Sequence, residues 1–294
     1  MTMSPTTSNP QTVGERIVRF GEEGNLVGLL NDAGGVAGSD VPAILFFNAG
    51  IVHRIGSHRL NVKIARSLSA LGYPTLRFDL SGQGDSLPAR AAHGHEAQAL
   101  ADIKAAAETL VQETGNRPLI SVGMCSGADH SYRAALADPQ IAGIVLLDPY
   151  AYGSLSAKVD AFVAKATDGA RWRRLLGRVA GAAPVADPRD AGAQLSEAEF
   201  VDQGRIPVPP AEFGADLETI AARGGRVAIR YTGFVKDHIT RPEQFFETFK
   251  GFDFKGRVEV VVLPQVDHTY TELSAQQHLI ADLTAWLAAH WPAA

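Results

Sequence analysis

The sequence is short of several things, and each shortage excludes something. One cysteine, Cys125, stands in 294 residues, so no internal disulfide can form and the fold must rest on its core. A basic excess is lacking too: 27 Lys and Arg face 32 Asp and Glu, for a formal net charge of -5. Nucleic-acid binding needs the opposite balance, which excludes it as the main task. No run of basic residues offers a membrane-surface patch, and no apolar stretch reaches the roughly 20 residues of a membrane-spanning helix. The opening segment, MTMSPTTSNPQT, has neither a charged n-region nor an apolar h-region, so it lacks the marks of a secretory signal. Its Ser, Thr and Pro content predicts a disordered tail over 1–12, ahead of one domain over 13–294. With the unpaired thiol, these features predict a cytoplasmic protein. No metal or cofactor is expected. His93-Gly94-His95-Glu96 has no further ligands at a usable spacing, and Ser81-Gly82-Gln83-Gly84-Asp85-Ser86 lacks the spacing of a glycine-rich nucleotide loop.

What is present is alternation. Two short strands, Glu15–Phe20 and Leu26–Leu30, precede Ala43–Asn48, an unbroken apolar run that reads as a strand buried on both faces. Strands then alternate with helices. Leu60–Leu71 carries Leu60, Ile64, Leu68 and Leu71 on one face, with Gly72 as its stop. Strand Thr75–Asp79 and helix Glu96–Thr114 follow, then strand Leu119–Met124, helix Ser126–Ala137 and strand Ile144–Leu147. The alternation breaks over 150–208, a stretch too long for a plain loop, so a helical lid-like insertion is expected there. Its basic piece, Arg171–Arg178 (RWRRLLGR), reads as a solvated face. Strand Arg226–Tyr231, helix Pro242–Phe249, strand Val258–Leu263 and helix Ala275–Leu287 complete the chain. The pattern predicts an α/β fold, doubly wound around a mostly parallel sheet.

The sharpest local signal is Gly123-Met124-Cys125-Ser126-Gly127. It ends a strand and opens a helix, the context that makes a G-x-nucleophile-x-G turn meaningful. The flanking glycines leave room for a tight turn that presents the central side chain at the sheet edge. A helix N-terminus beneath it favours thiolate and oxyanion alike. Cys125 is thus the candidate nucleophile. Ser126, one position off the centre, should point into the helix, and its backbone N–H is better suited to hold an oxyanion.

At these residues the chain resembles the α/β-hydrolase superfamily, over about residues 15–290. The segments FFNAGIVHRIGSHR, LRFDLSGQGDS and GMCSGA are similar to a bacterial branch that includes the exosortase-associated hydrolases. Most members carry Ser at the turn centre. The Cys here is similar to the dienelactone hydrolases and to some thioesterase domains of peptide synthetases. The resemblance implies the chain order nucleophile, acid, histidine. His268, after the last strand, then fits the base. The acid is Asp237, a short loop beyond Arg226–Tyr231, or alternatively Asp148, one strand earlier. Asp267 adjoins His268 too closely in sequence to meet it well. The resemblance also implies a second oxyanion donor at Gly50 or Ile51, beside the Ser126 N–H, in a loop where Asn48 replaces the usual His.

Beyond that loop, His53, Arg54 and Arg59 suggest a grip on a polar or anionic substrate group. They could equally serve as helix-start residues salt-bridged to the Asp79–Asp85 loop. The implied activity is hydrolysis of an ester, thioester or lactone through an acyl-cysteine, on a small-molecule acyl substrate that could be carrier-bound. Alternatives are an acyltransferase or cyclase using the same intermediate, or a binding protein on a hydrolase scaffold. Substrate identity and oligomeric state have no signature in the sequence.

Overall fold

The computed structural model describes residues 14–31, 33, 40–90, 94–154, 156–157 and 207–292. The tail expected over 1–12, His93 and nearly all of the insertion expected over 150–208, including Arg171–Arg178, lie outside the described residues.

Eight strands form one sheet: β1 Glu15–Phe20, β2 Leu26–Asn31, β3 Ala43–Phe46, β4 Thr75–Phe78, β5 Leu119–Met124, β6 Ile141–Leu147, β7 Arg226–Thr232 and β8 Val258–Leu263. Their spatial order is β1-β2-β4-β3-β5-β6-β7-β8. β1 and β2 pair antiparallel, β2 runs antiparallel to β4, and every pairing from β4 to β8 is parallel. The helices are α1 Leu60–Ala70, α2 His95–Thr114, α3 Ser126–Ala137, α4 Pro210–Ala222, α5 Pro242–Thr248 and α6 Leu273–His290.

Most of the parallel strands feed two cores. In β3, Ala43 and Leu45 face one core while Ile44 and Phe46 face the other, which is why the run is apolar without alternation. The first core takes residues from α2, α3, α4 and α5. The second takes α1 and α6, through Leu60, Ile64 and Leu68 on one and Leu279, Leu283 and Trp286 on the other. The doubly wound reading therefore holds, with most element ends within two residues of their expected places. Helix α4 was not legible, though Phe213, Leu217 and Ile220 recur on one buried face. Its Pro209-Pro210 start, continuous with the proline-rich stretch before it, masked the period. No helix among the described residues is long and apolar enough to cross a membrane.

Two fully buried arginines within the sheet need charged partners, since an unpaired buried charge is costly. Arg230 of β7 binds Asp282 and Glu259. Arg77 of β4 donates to Glu15 at 2.9 Å, and Arg66 grips the same carboxylate through both oxygens at 2.9 and 2.6 Å. The Arg66 hydrogen bonds, opposed by partial burial and reinforced by Arg77, bring the Glu15 pKa down to about 2 from an ordinary 4.5. A carboxylate with a depressed folded pKa stabilises the fold above its unfolded pKa and loses that contribution as pH falls through the folded one. Glu15→Gln is therefore expected to cost about 1–2 kcal/mol at pH 7, discounted for partial exposure. The cost should vanish near pH 2. Urea unfolding of both proteins at the two pH values measures it.

Candidate active site

The parallel strands end together along one edge of the sheet, where this architecture collects ligand-binding groups. Cys125 follows β5 directly. Its N–H still donates to Leu147 O of β6 at 2.9 Å, so the sheet ladder itself holds the nucleophile candidate in place. Its backbone then turns sharply, with φ 53° and ψ -121°, into α3. Such angles cost a non-glycine residue of the order of 1–3 kcal/mol and persist where the surroundings over-determine them. The surroundings here are glycines. A Cβ on Gly123 would lie 2.0 Å from Gly127 O, and one on Gly127 would lie 2.8 Å from Asn48 O. Strand, helix and the 48–51 loop can approach this closely because neither position carries a side chain.

Asp148 follows β6 in the same way, with φ 47° and its N–H donating to Arg230 O at 2.9 Å. Its buried carboxylate accepts from the Thr232 N–H and the Thr232 hydroxyl, each at 2.7 Å. Nδ1 of His268 lies 2.7 Å from Asp148 Oδ2. His268 is also hydrogen-bonded to the Cys125 side chain. Burial would lower the imidazole pKa, but the hydrogen bonds and charges of Asp148 and Cys125 outweigh it and raise the value from 6.5 to about 9. The ring of Phe234 lies against His268 with centroids 4.4 Å apart. The side chain of Asp267 shapes the loop instead, accepting from the Thr269 and Thr271 N–H groups at 3.2 and 2.9 Å.

Asp237, the first choice for the acid, is exposed, and the carboxylate that meets His268 Nδ1 is that of Asp148. The geometry thus favours the alternative, Asp148, over Asp237. The physical reason is at the end of β7, where Thr232 supplies two donors instead of an acid. That Thr, with an Asp in the matching place after β6, was the available signal. Thr232 and Phe234 were missed because neither residue type marks a site by itself.

The loop after β3 is held by Asn48. Its amide donates to Val52 O at 2.7 Å and to Asp79 Oδ1 at 2.9 Å, and its oxygen accepts from the Leu80 N–H at 2.6 Å. Asn at the position of the usual His thus ties the loop down from within. Gly50, with φ 55°, donates its N–H to Ser126 Oγ at 2.7 Å. Ile51 turns its side chain out to solvent, 86% exposed.

Arg54 is buried and ion-paired to Asp79 and, at 2.7 Å, to Asp85. His53 lies 3.4 Å from both carboxylates. These two residues are therefore not the open anion grip that the sequence allowed; they brace the 79–85 loop. Arg59 stays exposed, with φ 61°. His53, Asp79 and Asp85 bring three ligand atoms within 4.8 Å of one another, but the Arg54 guanidinium bonds to all three. The cation of this cluster is already supplied by the chain. His95, set aside as a ligand, packs its ring on His130 at 5.6 Å.

The comparisons with known proteins agree with this architecture. A family model described as serine aminopeptidase, S33, matches residues 49–205, just over half of the chain. No curated protein is similar enough in sequence to stand as a relative. Among solved structures, an esterase from Pyrococcus furiosus superposes with a TM-score of 0.59 at 16% identity, over 99% of this chain and 97% of that one. A hypothetical protein from Pseudomonas aeruginosa gives 0.59 at 13% identity over 99% of each chain. An alpha-beta serine hydrolase homologue from Coxiella burnetii gives 0.53 at 15%, over 94% and 97%. At such identities the likeness is one of fold.

Proposed function

The chain belongs to the serine aminopeptidase S33 family of α/β-hydrolases, and from that premise we propose that it hydrolyses an ester, thioester or lactone through an acyl-cysteine intermediate. The observation that carries this reading is the line Asp148–His268–Cys125 at the C-terminal ends of β6, β8 and β5. The family is described by a serine; here the residue at the turn centre is a thiol.

The chemistry follows from the proton inventory. Asp148 holds His268 with Nδ1–H toward it, so Nε2 faces the sulfur and takes its proton. The thiolate attacks the acyl carbonyl; a C–S bond forms and the carbonyl electron pair moves to oxygen. Collapse of that oxyanion expels the leaving alcohol or thiol, protonated by the imidazolium. Acylation also removes the thiolate charge that helped raise the imidazole pKa. His268 is thereby freed of its proton at neutral pH and can take one from the water that cleaves the acyl-cysteine. The segments similar to the branch with exosortase-associated hydrolases support acyl chemistry at this thiol. We place the enzyme in the cytoplasm, where a lone thiol stays reduced.

The test uses the single cysteine. Iodoacetamide alkylation, followed by intact mass spectrometry from about pH 5 to 10, should titrate well below the ordinary thiol value of about 8.5 in wild type. In His268→Ala it should titrate near that value. A p-nitrophenyl acetate pulse should add one acetyl mass to Cys125. A wild-type thiol that titrates as an ordinary one would overturn the Cys–His pair.

A further inference from the structure

The Ser126 hydroxyl has a place that the scheme above leaves unused. Ser126 opens α3, so its N–H is among those a helix cannot satisfy internally. Its Oγ accepts the Gly50 N–H at 2.7 Å. Gly50 sits in the loop that the hydrolase architecture uses for its second oxyanion donor, but in this chain that N–H is spent on a side chain. The hydroxyl is the cause: most side chains at position 126 could not accept it. The Ser126 proton, meanwhile, meets no acceptor among the described residues.

A hydroxyl that accepts from an N–H while its own proton is unpaired is a polarised donor. The loop behind it is firm, because Asn48 is bonded on both sides of its amide, and it runs so near α3 that a Cβ on Gly127 would come within 2.8 Å of Asn48 O. The donor is therefore held in place before reaction, the condition under which a hydrogen bond lowers a barrier rather than merely binding.

We infer that Ser126 serves the oxyanion twice, through its backbone N–H and through its hydroxyl, with the Gly50 N–H acting behind the hydroxyl instead of on the oxyanion. The inference rests on Cys125 as nucleophile. Its chemical content is definite: when the thiolate adds to a carbonyl, the electron pair displaced onto oxygen is met by the Ser126 Oγ–H, and it returns to the carbon as the leaving group departs.

Two reactions of the same sulfur separate this role from a structural one. Acylation by p-nitrophenyl acetate passes through a tetrahedral oxyanion; alkylation by iodoacetamide is a displacement at saturated carbon and does not. Ser126→Ala is expected to slow acylation by about 10- to 100-fold, a part of what a full oxyanion donor supplies. Its alkylation rate and pH profile should stay within about twofold. Ser126→Thr, which keeps the hydroxyl, should recover most of the acylation rate. Unchanged acylation in Ser126→Ala, or acylation and alkylation falling together, overturns the inference. Failure of the Cys–His reading would appear elsewhere, in the alkylation profile of the wild-type protein.

Discussion

Asp148→Asn is expected to lower kcat/KM for p-nitrophenyl acetate by about 100- to 1000-fold, while Asp237→Asn stays within about twofold. The amide keeps the size of the carboxylate and can still accept from the Thr232 N–H. What it cannot do is hold Nδ1 as a donor. The imidazole then turns its Nε2 proton toward the sulfur and ceases to be a base. A serine enzyme loses about 10⁴-fold from that error; a thiol, easier to ionise, loses less. The same substitution removes the largest of the effects that raise the His268 pKa to about 9. A histidine whose folded pKa exceeds its unfolded value stabilises the fold fully below 6.5, and that contribution is lost as pH rises through about 9. Wild type should therefore lose stability across this window in urea titrations, and Asp148→Asn should lose less. Equal damage from both substitutions, or the larger from Asp237→Asn, would return the acid to the loop after β7.

Gly123→Ala should be the most damaging single methyl in the chain, with a loss of about 4 kcal/mol or more. The added Cβ would sit 2.0 Å from Gly127 O, 2.3 Å from Gly127 C and 2.6 Å from Ser131 Oγ. Two of those atoms are backbone, so no rotamer change relieves the clash. Either β5 leaves its register in the centre of the sheet or α3 lifts off it, and both open the turn that carries Cys125. Gly251→Ala meets nothing within 4 Å and should move the melting temperature little. By calorimetry, about 4 kcal/mol corresponds to a fall of roughly 8–16 °C in a chain of this size. A fall of a degree or two would mean that β5 and α3 approach less closely than described.

The fold was largely legible because its strands are buried on both faces. Runs such as Ala43–Phe46 and Ile141–Leu147 are apolar throughout, and the helices between the strands show a clear inward face. Of the candidate site, the turn around Cys125 was legible because backbone crowding demands glycines at fixed offsets. His268 was placed by chain order. The acid was not, because acidic residues follow both β6 and β7, and their sequence does not say which is turned inward. Burial and contact separate the two: Asp148 is 1% exposed and bonded to Thr232 and His268, whereas Asp237 faces solvent. Arg54 was open for the same reason. Its partners, Asp79 and Asp85, belong to the loop after β4 and meet it only once β3 and β4 are paired.

On the mechanism proposed above, chain order also sets when reactivity can arise. Asp148 and His268 are 120 residues apart, and at ordinary rates of protein synthesis that distance takes about 6–24 s to make. During that interval a nascent chain holds the cysteine turn and the acid but no base. The thiol is then an ordinary one, a poor target for the cell's activated acyl compounds. It becomes a nucleophile when β8 docks on β7 and the loop beyond it delivers the imidazole. The last strand of the sheet is thus also the arming step, and a chain cut short before it would carry the turn without its chemistry.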